Sequence, residues 1–224
     1  MKSNNTGAGP AFLFDLDGTL VDSVYQHVLA WREALEKAGI ELAVWRIHRR
    51  IGMSGGLFVH ALLRETGRPL ANKEAADIQR AHAEAYARMA AQVRPLPGAR
   101  ELLEHLSQAN IPWAIATSGK MESAVLALKV LGVDPRKATV VTRDQVQYAK
   151  PDPDLFLAAA ERLGMEISSS IVVGDSVWDF AIGVGLLSGG YGQDELERAG
   201  AYRVYQDPAD LMRHLDEVGG RIAD

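Results

Sequence analysis

The stretch Phe12–Ser23, FLFDLDGTLVDS, runs from apolar residues into Asp15 and, two positions on, Asp17, followed by Gly18 and Thr19. Two carboxylates this close suit a hard, oxygen-loving cation. One can act as a nucleophile and the other as a proton donor. Three further segments carry comparable chemistry. Thr117-Ser118, with Gly119 behind it, offers hydroxyls suited to phosphate oxygens. Lys150, in Ala149-Lys150-Pro151, brings a positive charge of the kind that steadies a transferring phosphoryl group. Asp175 and Asp179, in Gly174-Asp175-Ser176-Val177-Trp178-Asp179, add two more carboxylates. Taken singly these are an acidic turn, a turn serine, a surface lysine and a capping aspartate. Taken together, at the ends of apolar runs, they suggest one site.

The runs that would position them are short and apolar on both parities: Ala11–Phe14, Ile111–Ala116, Ala138–Val141, Ile171–Val173, Val184–Leu187 and, more weakly, Tyr202–Tyr205. That pattern predicts strands buried on both faces, as in a parallel sheet. Helical patterns lie between them, at Pro97–Gln108, Met121–Leu131 before Gly132, and Pro153–Leu163 before Gly164. Strands alternating with helices predict an α/β fold, a three-layer Rossmann-like parallel sheet. In such a sheet ligands bind at the carboxyl ends of the strands, where all four segments would fall.

From Val24 to Arg94 the alternation stops. A stripe of Val24, Val28, Leu29, Trp31 and Leu35 ends at Gly39; a second helix surrounds Phe58, Leu62 and Leu63; Glu74–Met89 makes a third. The expected division is a catalytic core over residues 11–23 and 95–224, an inserted all-helical cap over 24–94, and a disordered leader over 1–10. One feature resists this scheme. Only residues 176–182 separate Asp175 from the run beginning at Gly183, whereas a parallel crossover with its helix takes about 10–12 residues. Either no ordinary helix joins these strands, or the sequence lacks a short segment there; the second reading is preferred.

Composition narrows the function. Formal charge is −5, from 24 Lys and Arg against 29 Asp and Glu, a poor match to nucleic acid or anionic lipid. With no Cys, disulfides, cysteine nucleophiles and thiolate metal sites are excluded. No apolar run reaches the ~18 residues of a membrane span, and Met1–Pro10 has no signal-peptide core. The expectation is a soluble cytoplasmic enzyme, monomer or weak homodimer, acting on a small molecule.

Competing signals are weaker. Gly52-Met53-Ser54-Gly55-Gly56 fits the G-x-S-x-G elbow of serine hydrolases, but that motif needs a buried strand before it, and Trp45–Ile51 is basic. A cap loop facing the active site is the better reading. Gly183-x-Gly185 has the wrong spacing for a dinucleotide loop. The six His are scattered and read as solvated or core residues. Arg46, His48, Arg49 and Arg50 form the one basic cluster; Arg49 or Arg50, with Ser54, is the candidate for reading the far end of a substrate.

The four segments, in this order, resemble the motifs of the haloacid dehalogenase superfamily, over roughly Ala11 to Asp216. The helical insertion resembles the cap of the branch holding phosphoglycolate phosphatase and β-phosphoglucomutase. The resemblance implies Asp15 as nucleophile and Asp17 as general acid/base. It implies Mg2+ held by Asp15, the main-chain carbonyl of Asp17 and Asp175, with Asp179 supporting, and phosphate held by Ser118 (or Thr117) and Lys150. The dehalogenases of that superfamily lack the second acid of the first motif, so Asp17 points to phosphoryl chemistry. Phosphonoacetaldehyde hydrolase lacks it too and uses a cap lysine, a part that neither Lys37 nor Lys73 fits well. A magnesium-dependent phosphatase acting on a sugar phosphate or a phosphoglycolate-like metabolite is therefore expected. The alternative is a phosphosugar mutase of the β-phosphoglucomutase type, and a serine hydrolase is the remote one. On elementary grounds Asp15, near an ordinary pKa of ~3.9, is expected to be ionised at neutral pH. Asp17, which must hold a proton when the alkoxide departs, is expected to be raised.

Overall fold

The computed structural model describes residues 9–67, 72–179 and 181–220, so the expected leader falls outside them as far as residue 8. Six parallel strands make the main sheet: β1 (Ala11–Phe14), β4 (Trp113–Ala116), β5 (Thr139–Val141), β6 (Ser170–Gly174), β7 (Ile182–Leu186) and β8 (Arg203–Tyr205). Their order is β5-β4-β1-β6-β7-β8. β1 lies between β4 and β6, with Leu13 opposite Ala114 on one side and Val172 on the other. All four of its residues are buried, which explains its unbroken apolar sequence.

Side chains of β1 alternate between two cores. Phe12 and Phe14 pack with α5 (Ala99–Gln108), α6 (Met121–Leu131) and α9 (Pro208–Arg213) through Leu102, Leu106, Leu128 and Leu211. Leu13 faces the other way, onto Leu155, Phe156 and Ala159 of α7 (Asp154–Arg162). Helices on both faces of a parallel sheet make the three layers. A further helix, α8 (Gln193–Arg198), buries Leu196 against the β7–β8 side.

Between β1 and α5 the chain leaves the sheet. β2 (Val21–Asp22) on the way out pairs antiparallel with β3 (Arg94–Pro95) on the way back, Val21 opposite Pro95 and Asp22 opposite Arg94. Four helices lie between these two stems: α1 (Val24–Lys37), α2 (Val44–His48), α3 (Gly55–Thr66) and α4 (Asn72–Met89). They bury a core of their own, including Val24, Val28, Trp31, Leu35, Ile47, Phe58 and Ile78. Each such side chain is worth about 1.5–3 kcal/mol on burial, enough to hold the cap as a unit. Leu29, expected in the α1 stripe, is instead exposed at 48%. It sits beside Val28 in sequence, about 100° round the helix.

The β6–β7 connection contains no helix among its described residues. β7 begins opposite Val172, two residues before the end of β6, so the chain has to return only about 7 Å along the sheet and needs no helix to do so. The link is strained. Ala181 stands at φ 49, a left-handed conformation unusual for a residue with a Cβ, and the β6–β7 register shifts between Val172 and Val173.

Candidate active site

The order of the sheet reverses at β1: β4 and β5 lie to one side, β6 to β8 to the other. The crevice at such a switch point, beyond the carboxyl ends of the strands, is where the motif residues gather. Asp15 follows β1 directly, its N–H donating to the Val173 carbonyl at 2.9 Å. Thr117 follows β4, its N–H donating to the Val141 carbonyl at 3.0 Å. Asp175 follows β6, and Lys150 arrives on the loop between β5 and α7.

Asp15, Asp175 and Asp179 are buried, and one carboxylate oxygen from each lies within 4.8 Å of the other two. Lys150, at 0% exposure, ion-pairs with Asp15 and reaches Asp179 Oδ1 at 2.7 Å. Thr19 donates to Asp175 Oδ1 at 2.8 Å. The N–H and hydroxyl of Ser176 both donate to Asp179 Oδ2, at 3.1 and 3.0 Å. One cation among three carboxylates leaves an excess of negative charge in a dry place. Burial therefore pushes Asp15 up to about 7 against the pull of Lys150, with Asp179 adding to the rise. Asp175 is raised well above the carboxylate range by burial, then by Asp15 and Asp179. The expectation that Asp15 keeps an ordinary pKa is corrected: this carboxyl needs added positive charge to ionise fully at neutral pH.

Asp17 goes the other way. Burial acts to raise it, but the His27 imidazole beside it, hydrogen bonds from His27 and Ser23, and the Lys150 charge together hold it below its ordinary value. Ser23 Oγ donates to Asp17 Oδ1 at 2.5 Å, and His27 Nε2 lies 3.3 Å from the same oxygen. The expected raised pKa is corrected for the substrate-free enzyme.

The two hydroxyls of the second motif differ. Thr117 Oγ1 accepts from the Gly119 N–H at 3.0 Å, which ties it to the turn. Ser118 Oγ, just past the carboxyl end of β4, is buried with no hydrogen-bond partner, an open polar position that a phosphate oxygen would satisfy.

Two sets of contacts could not be read from the sequence. The first is the turn after β7. Ser188 Oγ donates to the Gly18 carbonyl at 2.6 Å, and a Cβ on Gly189 would run into the Asp175 carboxylate. Gly18, at φ 83, presses on the same carboxylate, so a side chain at either position would displace it. The second is a clasp between cap and core. His48 Nε2 lies 2.9 Å from the Gly189 carbonyl. The Arg49 guanidinium pairs with Glu195 on α8 and lies 4.2 Å over the Tyr191 ring. The Arg49 carbonyl accepts from Tyr191 Oη at 2.8 Å and from Trp178 Nε1 at 3.1 Å.

This clasp changes the reading of the cap candidates. Arg49 is paired with the core, through Glu195 and the Tyr191 ring. Arg50 donates to the Arg46 carbonyl at 3.2 Å. Ser54 is buried at the start of α3, and its N–H donates to the Lys150 carbonyl at 3.2 Å. Helix α2 and a turn precede it, so the strand that a serine-hydrolase elbow requires is missing there.

Residues 10–184 match the model of the haloacid dehalogenase-like hydrolases. The chain belongs to this family. Among the dehalogenase-like hydrolases it is 37% identical to hexitol phosphatase A of Escherichia coli, over 74% of each chain. It is 32% identical to a phosphoglycolate phosphatase of Agrobacterium fabrum, over 76% of this chain and 74% of that one. The crystal structure of a hydrolase from Pseudomonas syringae superposes with a TM-score of 0.92 at 55% identity, covering 94% of this chain and 99% of that one. The oxygen donors of Asp15, Asp175 and Asp179, with negative charge in excess, fit the hard divalent cation typical of dehalogenase-like hydrolases. No described helix is long and apolar enough to cross a membrane.

Proposed function

We propose that the protein is a magnesium-dependent cytoplasmic phosphatase, monomer or weak homodimer, that hydrolyses a small sugar phosphate or phosphoglycolate-like metabolite through an aspartyl-phosphate on Asp15. One observation carries the reading. At a single sheet edge Asp15 and Asp17 stand with a buried lysine, a buried unpartnered serine hydroxyl and two further carboxylates. The names of the related phosphatases support the substrate class.

Ser118 Oγ and the Lys150 ammonium hold the phosphate oxygens. A carboxylate oxygen of Asp15 attacks phosphorus, the ester P–O bond breaks, and the leaving alkoxide takes the proton of Asp17. Asp17, now a carboxylate, takes a proton from water, whose oxygen attacks phosphorus and breaks the bond to Asp15. Ester and water become alcohol and phosphate, and Asp17 regains its proton. Magnesium would be held by Asp15, the Asp17 carbonyl and Asp175 with Asp179 supporting, and would supply the charge that lets an anionic nucleophile meet an anionic phosphate. Thr117 shapes the turn that presents Ser118.

The test is phosphate release from a panel of sugar phosphates, polyol phosphates, phosphoglycolate and nucleotides, with and without chelator. Activity should require a divalent cation, favour small phosphate esters and vanish in Asp15→Asn. Chelator-resistant turnover, or turnover retained in Asp15→Asn, overturns the reading.

A further inference from the structure

Asp17 is steadied by His27, and His27 is itself held by a residue that plays no other part in the site. His27, on α1, places Nδ1 at 3.1 Å from Nε2 of His82, on α4. Both rings are clamped. His27 stacks on Tyr86 with centroids 3.9 Å apart and planes 6° from parallel. His82 stacks on Trp31 at 3.9 Å and 13°, and Trp31 is backed by Phe58 at 4.1 Å. The stacks hold the planes of both imidazoles.

We propose that His82 is a positioning residue for the leaving-group step: its Nε2–H donates to His27 Nδ1 and fixes the tautomer of His27 whose Nε2–H points at Asp17. This rests on the reading of Asp17 as acid/base. An ionised carboxylate only accepts hydrogen bonds, so the His27 nitrogen facing it must carry the proton. In a neutral imidazole the other nitrogen is then an acceptor and needs a donor. Burial, and next the neighbouring His27, hold His82 well below its ordinary pKa, so it is neutral with one N–H to give. Donation from His82 Nε2 to His27 Nδ1 at 3.1 Å makes this contact and the one between His27 Nε2 and Asp17 both attractive. Without His82, His27 is free to present a lone pair to Asp17, and the carboxyl turns away from the leaving oxygen. Phosphoryl transfer to Asp15 does not need that alignment when the leaving group departs unprotonated.

The predicted signature is a change in leaving-group preference. His82→Phe keeps a flat ring against Trp31 and removes the donor; His82→Gln returns an N–H near the Nε2 position. Both full-length variants and Asp17→Asn are assayed on an alkyl phosphate and on p-nitrophenyl phosphate, after circular dichroism shows that they fold. In His82→Phe the ratio of alkyl to aryl kcat/KM should fall about tenfold, roughly the worth of one lost hydrogen bond. His82→Gln should recover most of it, and Asp17→Asn should lower the ratio further. Long-range proton–nitrogen NMR of the wild type should show His27 protonated at Nε2 and not at Nδ1. If Asp17→Asn shifts the ratio and His82→Phe leaves it unmoved, the role of His82 is wrong and that of Asp17 stands. If Asp17→Asn lowers both substrates equally, the acid/base reading fails and this inference with it.

Discussion

Replacing Asp15, the proposed nucleophile, should make the metal-free protein more stable. Asp15 is raised from 3.8 to about 7 in the folded state, burial being the leading cause. Between those values the folded carboxyl keeps a proton that the unfolded one has released. The folded state therefore binds more protons, and stability falls as pH rises through that window. At 1.36 kcal/mol per unit the total is about 4 kcal/mol, fully lost above pH 7. Asn at position 15 mimics the protonated acid and carries no such cost, while Lys150 keeps Asp179 as a partner at 2.7 Å. In chelator at pH 8, Asp15→Asn should exceed wild type by about 4 kcal/mol, on the order of 10 °C in Tm for a domain of this size. At pH 4 the two should nearly coincide. Magnesium should close the gap at pH 8 by stabilising the wild type more. Thermal unfolding with and without chelator at both pH values measures this. An Asp15→Asn variant less stable than wild type at pH 8 in chelator would refute the argument, because it would mean that the Lys150 pair outweighs the cost of burying the charge.

Other changes have equally definite outcomes. Ser118→Ala should lower kcat/KM for phosphate esters about ten- to a hundredfold, the loss of a hydrogen bond to a charged oxygen worth about 1.5–3 kcal/mol, whereas Thr117→Ser should be tolerated. Gly189→Ala should push Asp175 aside; calorimetry should then show magnesium affinity falling at least tenfold, with the far-ultraviolet spectrum of the fold retained. Arg49→Ala and Glu195→Ala should each raise KM a few-fold by loosening the cap, and the double variant should be no worse than either single one, as for two ends of one contact.

The sheet was legible because its strands are buried on both faces and carry no competing pattern. β1 coincides with the apolar run at Ala11–Phe14, and α6 with Met121–Leu131. The motif residues were legible because each directly follows, or lies in the loop after, such a run, so the topology that places one places the others. Helix α2 was missed because five residues within a basic stretch bury only Ile47, too little to show a period. His27 and His82 looked scattered because they stand on different helices and meet only when α1 packs on α4. Position 27, about one turn into the first cap helix and next to the stem leading from Asp17, was the available signal for the first; nothing local marked the second. Arg49 was expected over the substrate because a basic residue in a cap loop suits an anion. Its actual partner, Glu195, stands 146 positions further along the sequence, on α8, and meets it only in the folded chain.

The central claim is that phosphate passes through Asp15, and trapping it there is the most direct measurement. Enzyme mixed with substrate and magnesium is quenched in acid during the first turnover, digested, and its peptides are mapped by mass spectrometry. The account predicts a phosphoryl group on the peptide containing Asp15, localised to that carboxylate, absent in chelator and absent from Asp15→Asn. Phosphate found on Ser54 or any other residue, or full turnover by Asp15→Asn, would contradict it.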